Sequence, residues 1–372
     1  MVHYIWQQQK WPLFAWRGES LLDALCQCNF KRGQLLGRVT SLGIAMGLEA
    51  QAEVLAAEVL QTSAIEGQNL NSDSVRSSVA RRLGLEDAGL LRQDRYTEGL
   101  VDILIDATLH YDQPLTVERL HGWQAALFPT GYSGLHRIVV GGFRGESPMQ
   151  VISGPHGREQ VHYEAPPGRE VAREVRQFLA WWEESRGKLD GILRAAIASF
   201  WFVTIHPYED GNGRLARAIT DMALAQDEKQ SVRYYSLSAQ IMEEREAYYE
   251  ILERTQKGDL DITAWLTWFL GCFERAIARS DSLIARVLQK ARFWERHRTV
   301  PLTDRQRKVV NRLLDTGPGG FAGGLTTRKY VGMTKASRAT SYREINDLLN
   351  KKMLVQNPGK GRSVSYDLAW PD

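Results

Sequence analysis

The residues best suited to chemistry lie together in the segment IHPYEDGNGRLAR, residues 205–217. It holds one histidine, an acidic pair, a Gly-Asn-Gly turn and two arginines. The turn, formed by Gly211, Asn212 and Gly213, comes just before apolar residues at helical spacing, so its backbone N–H groups should lie at a helix N-terminus. Such N–H groups bind anions. The segment therefore predicts a phosphate-binding loop, which we call the glycine loop.

Charged side chains flank the glycine loop. Arg214 and Arg217 are three residues apart on the expected helix, so they share a face from which both guanidinium groups can reach one phosphate chain. Asp210 precedes the loop and is placed to hold a hard divalent cation that bridges phosphates. A Gly-Asn-Gly run alone would be typical of a surface turn. Together with His206 and the two arginines, it favours a phosphate-centred reaction.

The segment resembles the Fic-family signature H-P-F-x-D/E-G-N-G-R-x-x-R, with Tyr208 in the place of the usual Phe. Proteins of that family transfer AMP from ATP to a protein hydroxyl. The resemblance implies that His206 is the general base, a role that suits a neutral imidazole with a pKa near its ordinary value. It also implies that Asp210 binds Mg²⁺, that Arg214 clamps phosphate, and that Arg217 meets the terminal phosphate of ATP. Tyr208 keeps the ring, but its hydroxyl needs a partner or solvent.

A second motif lies upstream, at residues 62–67, where TSAIEG resembles the Fic inhibitory motif S/T-x-x-x-E-G/N. In the family this glutamate, here Glu66, forms a salt bridge with the second signature arginine, here Arg217. The resemblance implies that Glu66 keeps ATP from binding with its terminal phosphate in the productive position. A carboxylate can replace a phosphate oxygen because the fork of an arginine fits both. The alternative is a surface glutamate before Gly67, a residue suited to end a helix.

Between residues 131 and 167 the sequence changes to short β-prone runs separated by Gly and Pro, which predicts hairpins. The runs are 138–140, 149–152 and 160–163. In the Fic family the hairpin here, called the flap, lies over the active site and binds the target segment as an added strand. A connecting hairpin without that role is the alternative. The resemblance places the target-binding residues of the flap at Met149, Gln150, Val151 and Ile152. Residues 142–144, Gly-Phe-Arg, are similar to a family G-x-Y/F-R segment.

Helices must position these residues. The segment 189–205 is apolar nearly all round, which predicts a central buried helix that ends at His206. Residues 20–61 have helical apolar spacing, and the aromatic segment 3–17 is expected to pin itself, extended, onto the helical body. After the signature, Tyr248 and Tyr249 lie where family members place an aromatic side chain near adenine, and core packing fits them equally well.

Composition limits the protein class. The chain has 372 residues, enough for two or three domains, and a hydrophobic content of 43% that is ordinary for a globular protein. The net charge of +3 is too small to make nucleic acid or a membrane the partner of the whole chain. Three cysteines form neither a disulfide framework nor a zinc set, and Cys26 and Cys28 are expected to be buried small residues. No secretory signal and no apolar run of about 20 residues are found, so a cytoplasmic location is predicted.

Residues 301–372 are basic, with 13 Lys and Arg against 6 Asp and Glu. The pattern predicts a helix from residue 303, a short helix at 327–331, a turn at 332–334, a longer helix at 337–350 and a hairpin with a basic tip. This arrangement resembles a winged helix-turn-helix. The resemblance implies DNA contacts by five residues: Lys335, Arg338, Arg343, Lys360 and Arg362. Dimerisation or target docking by the same domain is the alternative.

The sequence thus predicts a mainly α protein built on a Fic helical core with a β-hairpin flap. The expected domains are an N-terminal helical extension with an aromatic arm (1–60), the Fic core (61–280), a linker helix (281–300) and a winged helix-turn-helix (301–372). The expected reaction is magnesium-dependent transfer of AMP from ATP to a target protein, which could be a second copy of the chain, with Glu66 as inhibitor. Two rivals stay open: a DNA-binding regulator whose Fic site senses nucleotide, and removal of AMP by the same site. A homodimer is one expected assembly, and no membrane partner is expected.

Overall fold

The structure is a computed structural model that describes residues 3–40, 44–85, 95–154, 158, 160–317, 321–358 and 364–370. The chain divides into two compact units. The first comprises residues 1–41 and 48–280, and the second comprises residues 42–47 and 281–372. The described part is mainly helical with small β-hairpins, as predicted. None of its helices combines the length and the apolar character that crossing a bilayer requires.

Helices dominate the chain up to residue 296. They are α1 (Gly18–Thr40), α2 (Ile44–Ile65), α3 (Ser72–Arg82), α4 (Arg95–Leu109), α5 (Val117–Leu127), α6 (Val171–Ser185), α7 (Gly191–Ile205), α8 (Asn212–Glu228), α9 (Leu237–Glu243), α10 (Arg245–Gln256) and α11 (Thr263–Arg296). Two antiparallel hairpins lie between α5 and α6. The first joins β1 (Tyr132–Ser133) to β2 (His136–Arg137), and the second joins β3 (Gln150–Ser153) to β4 (Gln160–Glu164).

Helix α7 is the centre of the first unit, because all fifteen of its residues are buried. Asp190 caps its start, where the carboxylate accepts hydrogen bonds from the backbone N–H groups of Ile192 and Leu193. Aromatic side chains of α6 and α11 pack on it, among them Trp182 and Trp265, which are 0% and 1% exposed. The prediction of a central buried helix that ends at His206 is confirmed. This packing gives the site a rigid base.

The N-terminal aromatic segment is anchored as predicted, although it begins with a 3₁₀ turn, Ile5–Gln7, where an extended chain was expected. The indole of Trp6 donates a hydrogen bond of 2.8 Å to the carbonyl of Glu164 at the end of β4. The indole of Trp11 donates one of 2.8 Å to the carboxylate of Glu174 on α6. The rings of Trp11 and Phe14 also pack edge-on against the buried helix α7. The segment therefore braces both the flap and the core.

Two expectations for this unit are wrong. No strand forms at residues 138–140, because the backbone groups of Val139 pair with side chains: its N–H donates to Glu209 and its carbonyl accepts from Gln124. Cys26 is exposed, although Cys28 is buried as expected. β-branched residues raise β propensity, but a strand also requires a partner strand for its backbone, and residues 138–140 have none.

After α11, the second unit continues with three helices and a hairpin in the predicted order: α12 (Asp304–Thr316), α13 (Thr327–Thr334), α14 (Arg338–Asn350), β5 (Leu354–Gln356) and β6 (Tyr366–Leu368). Its core includes Val309, Tyr330 and Ile345, each 0% exposed. The side chains of Thr303, Thr326 and Ser337 cap the three helices. The predicted turn at 332–334 is wrong, since these residues complete α13, which ends only where Lys335 adopts a left-handed backbone conformation.

Candidate active site

His206 ends helix α7 in a left-handed backbone conformation, with φ 51° and ψ 60°. For a residue other than glycine this conformation costs about 1–2 kcal/mol, so the surrounding contacts must hold it in place. Nδ1 of the imidazole lies 3.2 Å from the carbonyl oxygen of Val203. Because a carbonyl oxygen can only accept, Nδ1 carries the proton and Nε2 keeps its lone pair. The ring is therefore arranged to accept a proton at Nε2.

Desolvation lowers the pKa of His206 to about 4, and the bond to the carbonyl of Val203 opposes this effect only in part. The positive charge of Arg144 lowers the pKa further. The expectation of a pKa near the ordinary value is thus wrong, although the predicted neutral state is retained. The imidazole is uncharged at neutral pH, as a general base requires.

The glycine loop opens helix α8 as predicted. Gly211 has φ 95°, a conformation that favours glycine, and a Cβ there would lie 3.0 Å from Leu127 and 3.1 Å from Phe128. The side chain of Asn212 is buried and bonds the backbone N–H and carbonyl of Tyr208, so it holds the loop in shape. The first N–H groups of the helix have no partners within it. These groups lie where the sequence predicts an anion site.

Arg214 is 2% exposed and bound on several sides. Its guanidinium donates to Asp210 at 2.8 Å, to the hydroxyl of Tyr96 at 2.6 Å and to the side-chain oxygen of Gln68 at 3.2 Å. The other carboxylate oxygen of Asp210 accepts a bond from the hydroxyl of Ser133. Tyr96, Gln68 and Ser133 were not found from the sequence, because they lie more than 70 residues from the signature and belong to no motif.

Arg217 is 3% exposed and points toward the end of α2. Its Nη2 donates to Glu66 Oε1 at 2.8 Å and to the carbonyl of Thr62 at 2.9 Å, and its Nε donates to the hydroxyl of Thr62 at 2.6 Å. Burial opposes the charge of Arg217, yet its pKa is raised because of the Glu66 carboxylate. The structure thus brings together the predicted pair. Arg214 and Arg217 have different partners among the described residues, and their joint contact with one phosphate chain stays a prediction.

The carboxylate of Glu66 also lies against the glycine loop. A Cβ built on Gly213 would be only 2.1 Å from Glu66 Oε1, so this residue must be glycine for the carboxylate to lie there. Gly67, with φ 80°, allows the chain to turn after α2. A negative group therefore already sits at the N-terminus of α8, where an anion would bind.

Tyr208 is 0% exposed, and its hydroxyl lies 3.0 Å from Nδ1 of His121. Its ring packs against those of His121 and Phe143. Burial raises the pKa of Tyr208, so the hydroxyl stays protonated. The partner that the extra hydroxyl required is therefore His121 on α5, and the ring packs in the core.

Tyr248 and Tyr249 differ in surroundings. Tyr248 is 4% exposed and packs against the rings of Trp265 and Trp268, which is the core packing that the sequence left open. Tyr249 is half-buried: its hydroxyl donates to the carbonyl of Ile65 at 3.3 Å, and the guanidinium of Arg245 lies 5.0 Å above its ring. Tyr249 therefore lies beside the turn that carries Glu66.

The flap forms where it was predicted. In its hairpin, Val151 pairs with Tyr163 and Ile152 with Val161. Met149 and Val151 pack inward on a small cluster, while Ile152 is 54% exposed. Within the described residues β3 pairs only with β4, so its other edge presents backbone groups for a further strand.

The carboxylate of Asp210 fits a magnesium ion bound together with a nucleotide. Its side chain is 35% exposed. Across the described residues no group of three or more His, Cys, Asp or Glu could hold a metal ion without help. Mg²⁺ typically binds one or two carboxylates and takes its other ligands from substrate phosphates and water. One accessible carboxylate beside a phosphate-binding loop is consistent with that donor set.

Three of the five predicted DNA-contacting residues are exposed at the α13–α14 junction. Lys335 follows α13, Arg338 opens α14 and Arg343 lies further along it. None of these three forms an ion pair with any other residue that the structure describes. The remaining two, Lys360 and Arg362, lie outside the described residues.

Two family models match the chain. Residues 114–224 match the model described as Fic/DOC family, and residues 4–85 match one described as Domain of unknown function (DUF4172). The signature segment lies within the Fic/DOC match. The motif at residues 62–67 lies within the other match.

Curated relatives match this chain at low sequence identity. Two proteins named "Protein adenylyltransferase Fic" are similar: that of Aedes aegypti is 24% identical over 269 residues, and that of Drosophila mojavensis is 25% identical over 232. The alignments cover 70% and 61% of this chain but only 49% and 41% of the relatives. The chain thus spans less than half the length of these proteins.

Solved structures share the fold. A Fic family protein from Desulfovibrio desulfuricans G20 aligns with a TM-score of 0.53 at 17% identity, covering 93% of this chain and 95% of its own. A Fic domain containing signaling protein from Bacteroides thetaiotaomicron VPI-5482 aligns with a TM-score of 0.52 at 17% identity, covering 70% and 98%. At such identity the likeness establishes the fold alone.

Proposed function

We propose that this protein transfers AMP from ATP to a hydroxyl group of a target protein, and that Glu66 holds the site inactive. The observation that carries this proposal is the ion pair between Glu66 and the buried Arg217, formed against the glycine loop. A buried arginine beside the first N–H groups of a helix is suited to bind an anion. Here an internal carboxylate occupies it, in the place where a terminal phosphate would bind.

The reaction follows from the arrangement around His206. Nε2 accepts the proton of the target hydroxyl, whose oxygen then bonds to the α-phosphorus while the bond to the β-phosphate oxygen breaks and pyrophosphate leaves. The N–H groups of Gly211, Asn212 and Gly213, together with Arg214, stabilise the charge that develops on the phosphate. Bound Mg²⁺, held by Asp210, would neutralise phosphate charge. Tyr249, and Tyr248 behind it, would border the adenine.

The target protein would meet the flap. The free edge of β3, from Gln150 to Ile152, offers backbone hydrogen bonds to an extended segment of almost any sequence. Met149 and Val151 support that edge by packing against the cluster of Tyr4, Tyr163 and Ala165. The hydroxyl to be modified would then lie on the added strand, and a second copy of this chain is one candidate target.

Labelling with ATP tests the proposal. The parent, Glu66→Gly, and Glu66→Gly combined with His206→Ala are incubated with labelled ATP and magnesium, alone and in lysate. We expect labelled protein with Glu66→Gly, less with the parent and none with the double variant. Glu53→Ala is the matched control, because Glu53 lies on the same helix in an exposed ion pair with Arg76. Equal labelling by all four proteins would show that the assigned roles are wrong.

Removal of AMP by the same site is the closest alternative. The Glu66 side chain is 30% exposed, so its carboxylate could orient a water molecule. In that case a pre-modified target should lose AMP with the parent and keep it with Glu66→Gly. The two directions therefore predict opposite effects of one substitution.

DNA binding is a second candidate function, supported by Lys335, Arg338 and Arg343, which are exposed and form no ion pair with a described residue. Together with Lys360 and Arg362, they would contact phosphates on a duplex. Binding to duplex DNA that weakens steeply with salt, without any labelled protein, would favour a regulator whose Fic domain senses nucleotide. Salt-independent self-association would instead favour the use of this unit in a homodimer.

A further inference from the structure

Arg144 links its own segment to two others, residues 206–207 and Pro166. Its side chain is 5% exposed, and its Nε donates to the carbonyl oxygen of His206 at 2.7 Å. Its Nη2 donates to the carbonyl of Pro166 at 2.5 Å. Its own backbone N–H donates to the carbonyl of Pro207 at 3.0 Å. No other side chain among the described residues donates a hydrogen bond to the carbonyl of His206.

The bond to His206 stabilises an unfavourable backbone conformation. His206 is left-handed although it has a Cβ, and the backbone turns sharply there from α7 into the glycine loop. A guanidinium at this point complements the partial negative charge at the C-terminus of α7. Among the described residues, the carbonyl of Val203 is the one hydrogen-bond partner of the imidazole, so the orientation of Nε2 depends on the backbone that Arg144 holds.

The bond to Pro166 joins the same guanidinium to the base of the flap. Pro166 follows β4, and the N–H of Ala165 closes the hairpin by bonding the carbonyl of Met149. The two ends of the flap segment approach closely here, because a Cβ on Gly168 would lie 2.1 Å from the carbonyl oxygen of Gly145. Arg144 therefore lies where the chain enters and leaves the flap.

We propose that Arg144 is a positioning residue that sets the flap in register with His206, so that a hydroxyl on the added strand arrives at Nε2. This inference rests on the proposed function. The structure records no contact of Arg144 with the glycine loop, Arg214 or Arg217. Its loss should accordingly affect the transfer step and leave nucleotide binding intact.

Kinetics in the Glu66→Gly background test the inference. We expect Arg144→Gln to lower kcat about 100-fold, the loss that small misplacements of reacting groups produce. The affinity for ATP, measured by calorimetry, should change less than about twofold, since a group that takes no part in uniform binding leaves it unchanged. Arg144→Lys should recover part of kcat, because an ammonium can still donate to one carbonyl. A parallel fall in ATP affinity and kcat would overturn the proposal.

Arg194 provides a matched control. It is 2% exposed and donates hydrogen bonds to Ser185, Gln226 and the carbonyl of Trp182, with no contact to His206 or the flap. Arg194→Gln should lower the melting temperature as Arg144→Gln does, yet retain kcat. If both variants lose kcat to the same extent, Arg144 contributes stability alone and the inference is wrong.

A readout without catalysis separates this inference from the proposed function. The chain has eight histidines, so ¹³C-labelled histidine gives a simple spectrum in which His206→Ala assigns His206. Its Cα and Cβ shifts report the left-handed backbone. We expect Arg144→Gln to move them, and Arg194→Gln to leave them in place. Unmoved shifts would overturn the inference even if transfer is observed, whereas absence of transfer by Glu66→Gly with moved shifts would contradict only the proposed function.

Discussion

Positive charge is held in two different ways in the two units of this chain. Around the glycine loop, Arg214 and Arg217 are almost fully buried and paired with Asp210 and Glu66. At the α13–α14 junction, basic side chains such as Arg338 are exposed and form no ion pair with any described residue. Burying an unpaired charge is very costly, whereas an exposed one is stabilised by water.

This difference explains why the first region says more than the second about the ligand that it binds. A buried arginine needs a partner, and the pairing of Arg217 with the Glu66 carboxylate is what supports the proposal that a phosphate binds at the glycine loop. Exposed lysines and arginines need no internal partner and therefore reveal less. Substitutions should act accordingly: those in the first unit change a defined reaction, and those in the second change salt-dependent binding.

His206→Ala should have the largest effect. In the Glu66→Gly background we expect AMP transfer to fall by about 10³-fold, within the range that a general base contributes. ATP binding should persist, because the imidazole is not part of the anion site. Rates of target labelling and calorimetric titration with ATP measure the two quantities. His110→Ala, which changes an exposed histidine just after α4, should retain both. Transfer that is unaffected by His206→Ala would show that His206 is not the general base.

Glu66→Gly should have the next largest effect. Removal of the carboxylate frees Arg217 for a phosphate, so ATP affinity should rise about 10- to 100-fold, as expected from one charge-assisted hydrogen bond. Glu53→Ala should leave the affinity unchanged. Titration of the three proteins with ATP and magnesium measures this effect. Equal affinity in the parent and Glu66→Gly would mean that the Glu66 carboxylate does not compete with a phosphate for Arg217.

Substitutions at the exposed junction should act more weakly and without sequence specificity. We expect Arg338→Ala and Arg343→Ala each to weaken duplex DNA binding several-fold and to reduce the slope of log affinity against log salt by about 1. Lys308→Ala on α12 is the control, since Lys308 is an exposed basic residue of the same unit outside the predicted DNA-contacting set. Unchanged DNA binding in both arginine variants would indicate that this surface of the second unit binds a protein and not DNA.

The acid dependence of stability should show the smallest effect. The pKa of His206 is about 4 in the folded protein and about 6.5 in an unfolded chain, so between these values only the unfolded chain binds the proton. The contribution of His206 to stability is therefore present above pH 6.5 and is lost as the pH falls toward 4. Denaturant unfolding of the parent and His206→Gln at pH 7 and pH 5 measures it. The difference between the two proteins should shift in favour of His206→Gln at pH 5, and a shift in the opposite direction would contradict a lowered pKa.

The sequence predicted those parts of the fold and site that local patterns encode. The buried helix before His206 and the pairing of Glu66 with Arg217 follow from apolar spacing and a motif. Tyr96 and Ser133 were missed because only the tertiary structure brings them to Arg214 and Asp210. Local propensity also predicted a strand at 138–140 whose backbone instead bonds to side chains. The pKa of His206 depends on burial, which no local pattern gives.

A crystal structure of Glu66→Gly with ATP and magnesium tests most directly whether Glu66 occupies a phosphate site. We expect a phosphate oxygen within hydrogen-bond distance of Arg217 at the N-terminus of α8, the cation on Asp210, and Nε2 of His206 facing the α-phosphate. A nucleotide bound elsewhere, or a glycine loop that stays empty although Glu66 has been removed, would contradict it.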